Sequence, residues 1–319
     1  MSDAEEFQLP EWAQLIDQGG PRERYVAATP MGEFTVHTHG GQVTSWVGHG
    51  RERLWTSETA EYAVGKAIRG GIPVIFPWFA NGPGGERKPS HGLARLATWE
   101  LAGWGTTDEP DDTMDLQFDL GEQDLDPSLR NTGDWPSGVR AHVQVEIGAD
   151  ALIIRLTLVN YTDEPVSCEA ALHTYLAVAD VEDAVIEGLD GVRFYDKVAR
   201  REDVTDQPVP FGDEVDRIYE TKEPVVLCDG THSLRVGGQL GSSDAGPRPA
   251  QTVVWNPGRD KGPGIADISD WRGFVCIEAA AIGVDALVIP PAGSGGGDVP
   301  FGFSTLTQTL TLLPTEQLR

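Results

Sequence analysis

Three stretches of strict alternation constrain the fold of this chain more than any other feature. Met114, Leu116, Phe118 and Leu120 alternate with Asp115, Gln117 and Asp119. Val139, Ala141, Val143, Val145 and Ile147 alternate with Arg140, His142, Gln144 and Glu146, and Leu152, Ile154, Leu156 and Leu158 repeat the pattern soon after. A period of two sends successive side chains to opposite faces, so each stretch reads as an antiparallel strand with one face on a core. Gly148-Ala149-Asp150-Ala151 between the second and third has the length and composition of a hairpin loop. Further strands are expected at Gly32–Thr38, Gln42–Val47, Val225–Cys228, Thr252–Trp255, Phe274–Ala279, Ala286–Ile289 and Thr305–Leu313. Helical spacing is confined to Glu11–Asp17, where a short amphipathic turn or two is expected. Many strands joined by Gly- and Pro-containing turns predict an all-β chain, a large antiparallel β-sandwich with little helix. With no internal repeat or linker, residues 1–319 read as one domain, residues 1–20 forming an N-terminal extension. Gly237–Pro249 and Gly293–Gly297 read as surface loops, since neither opens a helix in a phosphate-binding frame.

Charge narrows the partners. Fifty Asp and Glu against 24 Lys and Arg give a net charge of −26, which repels nucleic acid and anionic lipid. An anionic substrate would therefore have to be held by a few local cations. The acidic segments Asp108–Asp112 and Asp119–Asp126 read as solvated surface. The acidic start lacks the features of a signal peptide, and no apolar run is long enough to span a bilayer. Cys168, Cys228 and Cys276 show no metal-type spacing and read as buried free thiols, which suits a reducing cytoplasm.

Four polar groups interrupt otherwise apolar runs. In Ile68-Arg69-Gly70-Gly71-Ile72-Pro73 a fixed cation stands beside paired glycines that admit close approach. Ser90-His91-Gly92-Leu93-Ala94-Arg95 places a histidine and an arginine on either side of a glycine. His173 and Tyr175 interrupt Ala170–Leu176, and Glu278 interrupts Phe274–Ala280. A carboxylate in so apolar a run is either paired or functional. A histidine and a glutamate on one face of a sheet would form a general acid–base pair, although periodicity does not show that they converge. His37-Thr38-His39 lacks a third ligand, so no metal site is expected.

Taken together, these segments resemble the hexose-6-phosphate mutarotase branch of the aldose 1-epimerase (galactose mutarotase-like) family. The resemblance rests on Arg69–Pro73, Phe76–Phe79, His91–Arg95, Trp99–Leu101, Ala171–Tyr175, Gly188-Leu189, Tyr195–Lys197, Val215–Tyr219, Val254–Pro257 and Val275–Ala279. They occur in family order across residues 30 to 313. It implies the large antiparallel sandwich already expected, no cofactor, and a small sugar or sugar phosphate as the partner of a monomer. It also implies that His173 is the acid that protonates the ring oxygen and Glu278 the base that takes the anomeric hydroxyl proton. Arg69, Arg95 and Asp216 then hold substrate, with His91 and Ser90 beside them. A mutarotase for free aldoses and a non-catalytic sugar-binding protein stay open as alternatives.

Overall fold

The computed structural model describes residues 9, 13–29, 32–106, 114–230, 232–268, 270–294 and 300–314. The acidic segment at 108–112, part of the N-terminal extension and most of the Gly293–Gly297 loop lie outside the described residues. The architecture is all-β and antiparallel. Among the described residues, a nine-stranded sheet runs in the order Val185–Glu187, Val225–Cys228, Ser233–Ser242, Gly302–Leu313, Ala151–Asn160, Val139–Ile147, Met114–Gly121, Glu100–Thr106, with Arg248–Pro249 paired to Ser233–Ser242. An eight-stranded sheet runs Arg201–Val204, Arg193–Asp196, Val215–Tyr219, Gln251–Asn256, Phe274–Ala281, Ala170–Leu172, Val74–Ile75, with Tyr175–Ala177 paired to Phe274–Ala281. A five-stranded sheet spans Ala13–Ile16 to Arg51–Glu52.

The alternation read in sequence matches the buried faces. Met114, Leu116, Phe118 and Leu120 are buried, as are the odd-numbered residues of Val139–Ile147 and Leu152, Ile154, Leu156 and Leu158. Leu152 pairs with Ile147 across the expected hairpin. Phe274–Ala281 is buried on both faces, which its unbroken apolar run reflects. Val275, Ile277, Ala279 and Ala281 join the main core shared with the nine-stranded sheet. Phe274, Cys276, Glu278 and Ala280 therefore point the other way, and that second face carries the site.

Two expectations are corrected. The Gly237–Pro249 stretch is not simply a loop, because Ser233–Ser242 is a ten-residue strand paired along its length with Gly302–Leu313. Its glycines thin the sheet where the layers meet: a Cβ at Gly238 would lie 2.9 Å from the Ala279 Cβ and 3.0 Å from the Ala250 Cβ. The helical turn expected at Glu11–Asp17 is instead, over Ala13–Ile16, a strand pairing Ala13 with Ala27 and Ile16 with Arg24. A helix of one or two turns is unstable alone, whereas an adjacent strand edge satisfies the same backbone groups. The thiols are free, with Cys168 and Cys276 buried and Cys228 only half-buried beside Ser233.

Candidate active site

Register builds the centre of the site. Ala170 pairs with Ala281 and Leu172 with Ala279, and the pairing resumes with Tyr175 opposite Cys276. The same register sets His173 opposite Glu278. The ladder breaks beside it, where the Thr174 N–H turns back to the Leu172 carbonyl at 3.0 Å and only the Ile277 N–H still crosses, to the Thr174 carbonyl at 3.1 Å. The His173 N–H faces the other way and donates to the Pro73 carbonyl at 3.0 Å. The Thr174 hydroxyl contacts the Gln308 side chain, and the Gln308 amide donates to the Ile277 carbonyl at 2.8 Å. These contacts turn Thr174 toward the inter-sheet core and leave His173 and Tyr175 on the site face.

His173 Nε2 lies 3.4 Å from Glu278 Oε1, and their side chains are only 9% and 1% exposed. That separation is long for a hydrogen bond, so the pair is close without being locked. Glu278 Oε2 is buried without a hydrogen-bond partner. Burial drives both groups toward their neutral forms. The Glu278 carboxyl is pushed well up by desolvation, opposed by Lys197 and reinforced by Asp216. The His173 imidazole is pushed well down by desolvation and then by the Arg95, Arg69 and Lys197 charges. His173 stacks on Tyr175 at 4.9 Å and meets the Trp255 ring edge-on at 5.9 Å. Asp216 pairs with Trp255, and Trp255 with Cys276, so Asp216, Trp255, Cys276 and Tyr175 form one row across the sheet.

Two glycine-dependent loops bring up the remaining groups. Gly71 holds a φ of 59°, and a Cβ there would lie 2.2 Å from the Val43 carbonyl oxygen; this close seating fixes the loop that bears Arg69. Gly92 holds a φ of 72°, and a Cβ would lie 2.2 Å from the Phe76 carbonyl oxygen. His91 beside it has a φ of 64°, an uncommon left-handed conformation for a residue with a side chain. The Ala80 N–H donates to His91 Nδ1 at 3.3 Å. Nδ1 is thus the acceptor, and the neutral ring carries its proton on Nε2. Desolvation, then His173 and Arg95, push the His91 imidazole down and favour that neutral form. Its ring packs edge-on against Phe79 at 4.8 Å and His173 at 5.4 Å.

Three cations surround the pair, and their partners differ. Arg69 Nε lies 3.0 Å from Asp267 Oδ2, and its Nη1 donates to the Tyr175 hydroxyl at 2.9 Å. Lys197 Nζ lies 2.7 Å from Asp216 Oδ2. Arg95 donates through Nη2 to the Ser90 carbonyl at 2.7 Å, its Nε is buried without a partner, and no described carboxylate lies within ion-pair distance. Burial without a counter-ion pulls the Arg95 guanidinium down to about 10. His173, Glu278, Arg69, Arg95, His91 and Asp216 are thereby brought together. Ser90 is exposed and enters through its carbonyl. Sequence reasoning did not give Lys197 and Asp267 a place in the site. Lys197 stood inside a matched segment but lacked a partner until the strands paired, and Asp267 read as part of a rim loop after Val254–Pro257 with no assigned role.

A buried His–Glu pair with a half-buried aspartate and three cations on one face of an antiparallel sandwich makes an arrangement able to exchange protons with a polar ligand. Residues 24–294 match the aldose 1-epimerase family model, and the chain belongs to that family. It is an isomerase that interconverts anomers. A protein of Escherichia coli K12 named as a candidate glucose-6-phosphate 1-epimerase is 30% identical over 260 residues, covering 79% of this chain and 80% of its own. One of the same name from Cenchrus ciliaris is 30% identical over 259 residues, covering 77% of this chain and 74% of its own. The crystal structure of a candidate mutarotase, YeaD, from Salmonella typhimurium superposes with a TM-score of 0.75 at 26% identity, covering 94% of this chain and 96% of that one. Among the described residues no helix is long and apolar enough to cross a membrane.

Proposed function

We propose that the protein interconverts the α and β anomers of an aldohexose 6-phosphate, glucose 6-phosphate first among them. The observation that carries this reading is Arg95, a half-buried guanidinium beside the His173–Glu278 pair with no described carboxylate to neutralise it. A phosphate dianion supplies the missing charge and can accept paired donors from the guanidinium. The names of the relatives from Escherichia coli and Cenchrus ciliaris support the same substrate.

In the proposed reaction His173 gives a proton to the ring oxygen while Glu278 takes the proton of the anomeric hydroxyl. The bond between the anomeric carbon and the ring oxygen breaks, leaving the open aldehyde. Rotation about the adjoining carbon–carbon bond presents the other carbonyl face. Closure with the roles reversed returns both protons and gives the other anomer. The pair carries one proton throughout, first on His173 and then on Glu278. Burial favours the neutral arrangement, imidazole beside carboxylic acid, which is the state required after ring opening. Asp216 accepts from sugar hydroxyls, His91 Nε2–H donates to a ring substituent, and Arg69 forms a cationic wall fixed by Asp267. The protein is read as a cytoplasmic monomer of one domain. Inorganic phosphate should inhibit competitively, and Arg95→Met should remove most of that inhibition; phosphate without effect on the wild type would count against the phosphosugar reading.

A further inference from the structure

Lys197 reaches both walls of the site. It follows the Arg193–Asp196 strand, and its N–H donates to the Asp216 carbonyl at 2.8 Å. Its ammonium lies 2.7 Å from Asp216 Oδ2 and 5.2 Å from the centre of the Phe79 ring. Phe79 in turn meets His91 edge-on at 4.8 Å, and His91 meets His173 at 5.4 Å. One cation thus spans the loop wall carrying His91 and the strand carrying Asp216. An ammonium over an aromatic face is attracted by the ring's quadrupole, which favours this bridging position over extension into solvent. Next to it, Arg217 Nε lies 3.1 Å from Asp196 Oδ2, so two crossed ion pairs tie the same two strands.

We infer that Lys197 is a positioning residue of the reaction, holding the Asp216 carboxylate charged and aimed at the sugar hydroxyls. The inference rests on the function proposed above. Asp216 is half-buried, and desolvation pushes its carboxyl up while Lys197 pulls it back. Without the ammonium, the carboxyl would take up a proton more readily and lose acceptor capacity for ring hydroxyls. Lys197 is distinct from Arg95 in this respect: its charge is already matched by Asp216, whereas that of Arg95 is not. Its influence should therefore fall on the sugar ring, which phosphorylated and free hexoses share.

The test is a comparison of Lys197→Met and Lys197→Arg on glucose 6-phosphate and on glucose, with Asp216→Asn and the Lys197→Met/Asp216→Asn double variant. Lys197→Met should raise KM about tenfold on both sugars with a smaller change in kcat, the size of one lost charge-assisted contact. The rise should grow as the pH is lowered, because the Asp216 carboxyl, pushed up by desolvation and by Glu214 and then opposed by Lys261 alone, protonates more readily without Lys197. Lys197→Arg should recover most of the KM, and the double variant should be no worse than Asp216→Asn alone. Losses confined to glucose 6-phosphate would make Lys197 a phosphate ligand and overturn the inference. Losses that multiply in the double variant would overturn it too, since Lys197 would then not act through Asp216. A working wild type with an unaffected Lys197→Met removes this inference alone, whereas a wild type that turns over neither sugar removes the proposed function with it.

Discussion

His173 and Glu278 stand opposite each other across two paired strands, Nε2 to Oε1 at 3.4 Å, at a position where the ladder between those strands is interrupted. The pairing on either side of the interruption keeps His173 in register, on the same face as Tyr175 and opposite to Thr174. A proton can pass between the two groups by way of a bound sugar, because both are buried and neither is held by a strong hydrogen bond. His173→Asn and Glu278→Gln should each lower anomerisation by about 10²–10⁴-fold, the usual contribution of one acid or base. The double variant should be little worse than the worse single, as for groups acting as a unit. Steady-state rates on folded variants, checked by circular dichroism, decide this; a single variant with near wild-type turnover contradicts the mechanism.

Arg95 and Arg69 should separate by substrate. Arg95→Met should lower kcat/KM for glucose 6-phosphate about ten- to hundredfold, a charge-assisted contact of ~1.5–3 kcal/mol, and change glucose use much less. Arg69→Met should harm both sugars, because it also releases Asp267 and the Tyr175 hydroxyl that stands beside His173. Added salt should narrow the preference for the phosphorylated sugar in the wild type. Equal losses on both sugars in Arg95→Met would assign that arginine to the ring or the fold.

Much of this site was legible in the sequence because its groups break apolar runs. Glu278 inside Phe274–Ala280 and His173 inside Ala170–Leu176 interrupt apolar runs, but their grouping with Arg69, Arg95 and Asp216 came from the family resemblance, because periodicity does not show which residues converge. The alternation at 114–120 and 139–158 gave the strands and their buried faces. Lys197 and Asp267 were not legible, because each acquires meaning only through a partner brought near by strand pairing or loop closure. The Ser233–Ser242 strand was hidden by Gly237, Gly238 and Gly241, whose small size serves close packing against Pro224, against Ala279 and Ala250, and against Thr305 respectively, not a turn of the chain. The exposed edge strand Arg201–Val204 carried no apolar face to detect.

The neutral bias of the pair has a consequence for stability. Glu278 is raised in the folded state, so the native protein binds more protons than the unfolded chain above the ordinary glutamate range. The stability this contributes is complete at low pH and declines as pH rises toward the folded value. Glu278→Gln removes that decline. The melting temperature of the variant relative to wild type should therefore rise steadily between about pH 5 and pH 8, while its activity falls. A difference independent of pH would mean that Glu278 is ionised in the resting protein.

Gly92 should tolerate no side chain. An alanine there would meet the Phe76 carbonyl oxygen at 2.2 Å with φ in the left-handed region, displacing the loop that presents His91. Gly92→Ala should cost at least about 1–3 kcal/mol, the range for backbone strain, and lower kcat/KM as His91 moves. Thermal unfolding and steady-state kinetics measure the two effects; a variant with wild-type values in both would show that the loop seat is adjustable.

The central claim is that this sandwich speeds anomer exchange and prefers a phosphorylated hexose. Exchange NMR on equilibrated glucose 6-phosphate and on glucose, at one enzyme concentration and low salt, reads both parts at once. The expected result is α–β exchange well above the buffer rate on glucose 6-phosphate, with kcat/KM at least about tenfold above that on glucose, the discrimination one charge-assisted contact supplies. Exchange no faster than in buffer on either sugar, or faster on glucose than on its phosphate, would contradict the account.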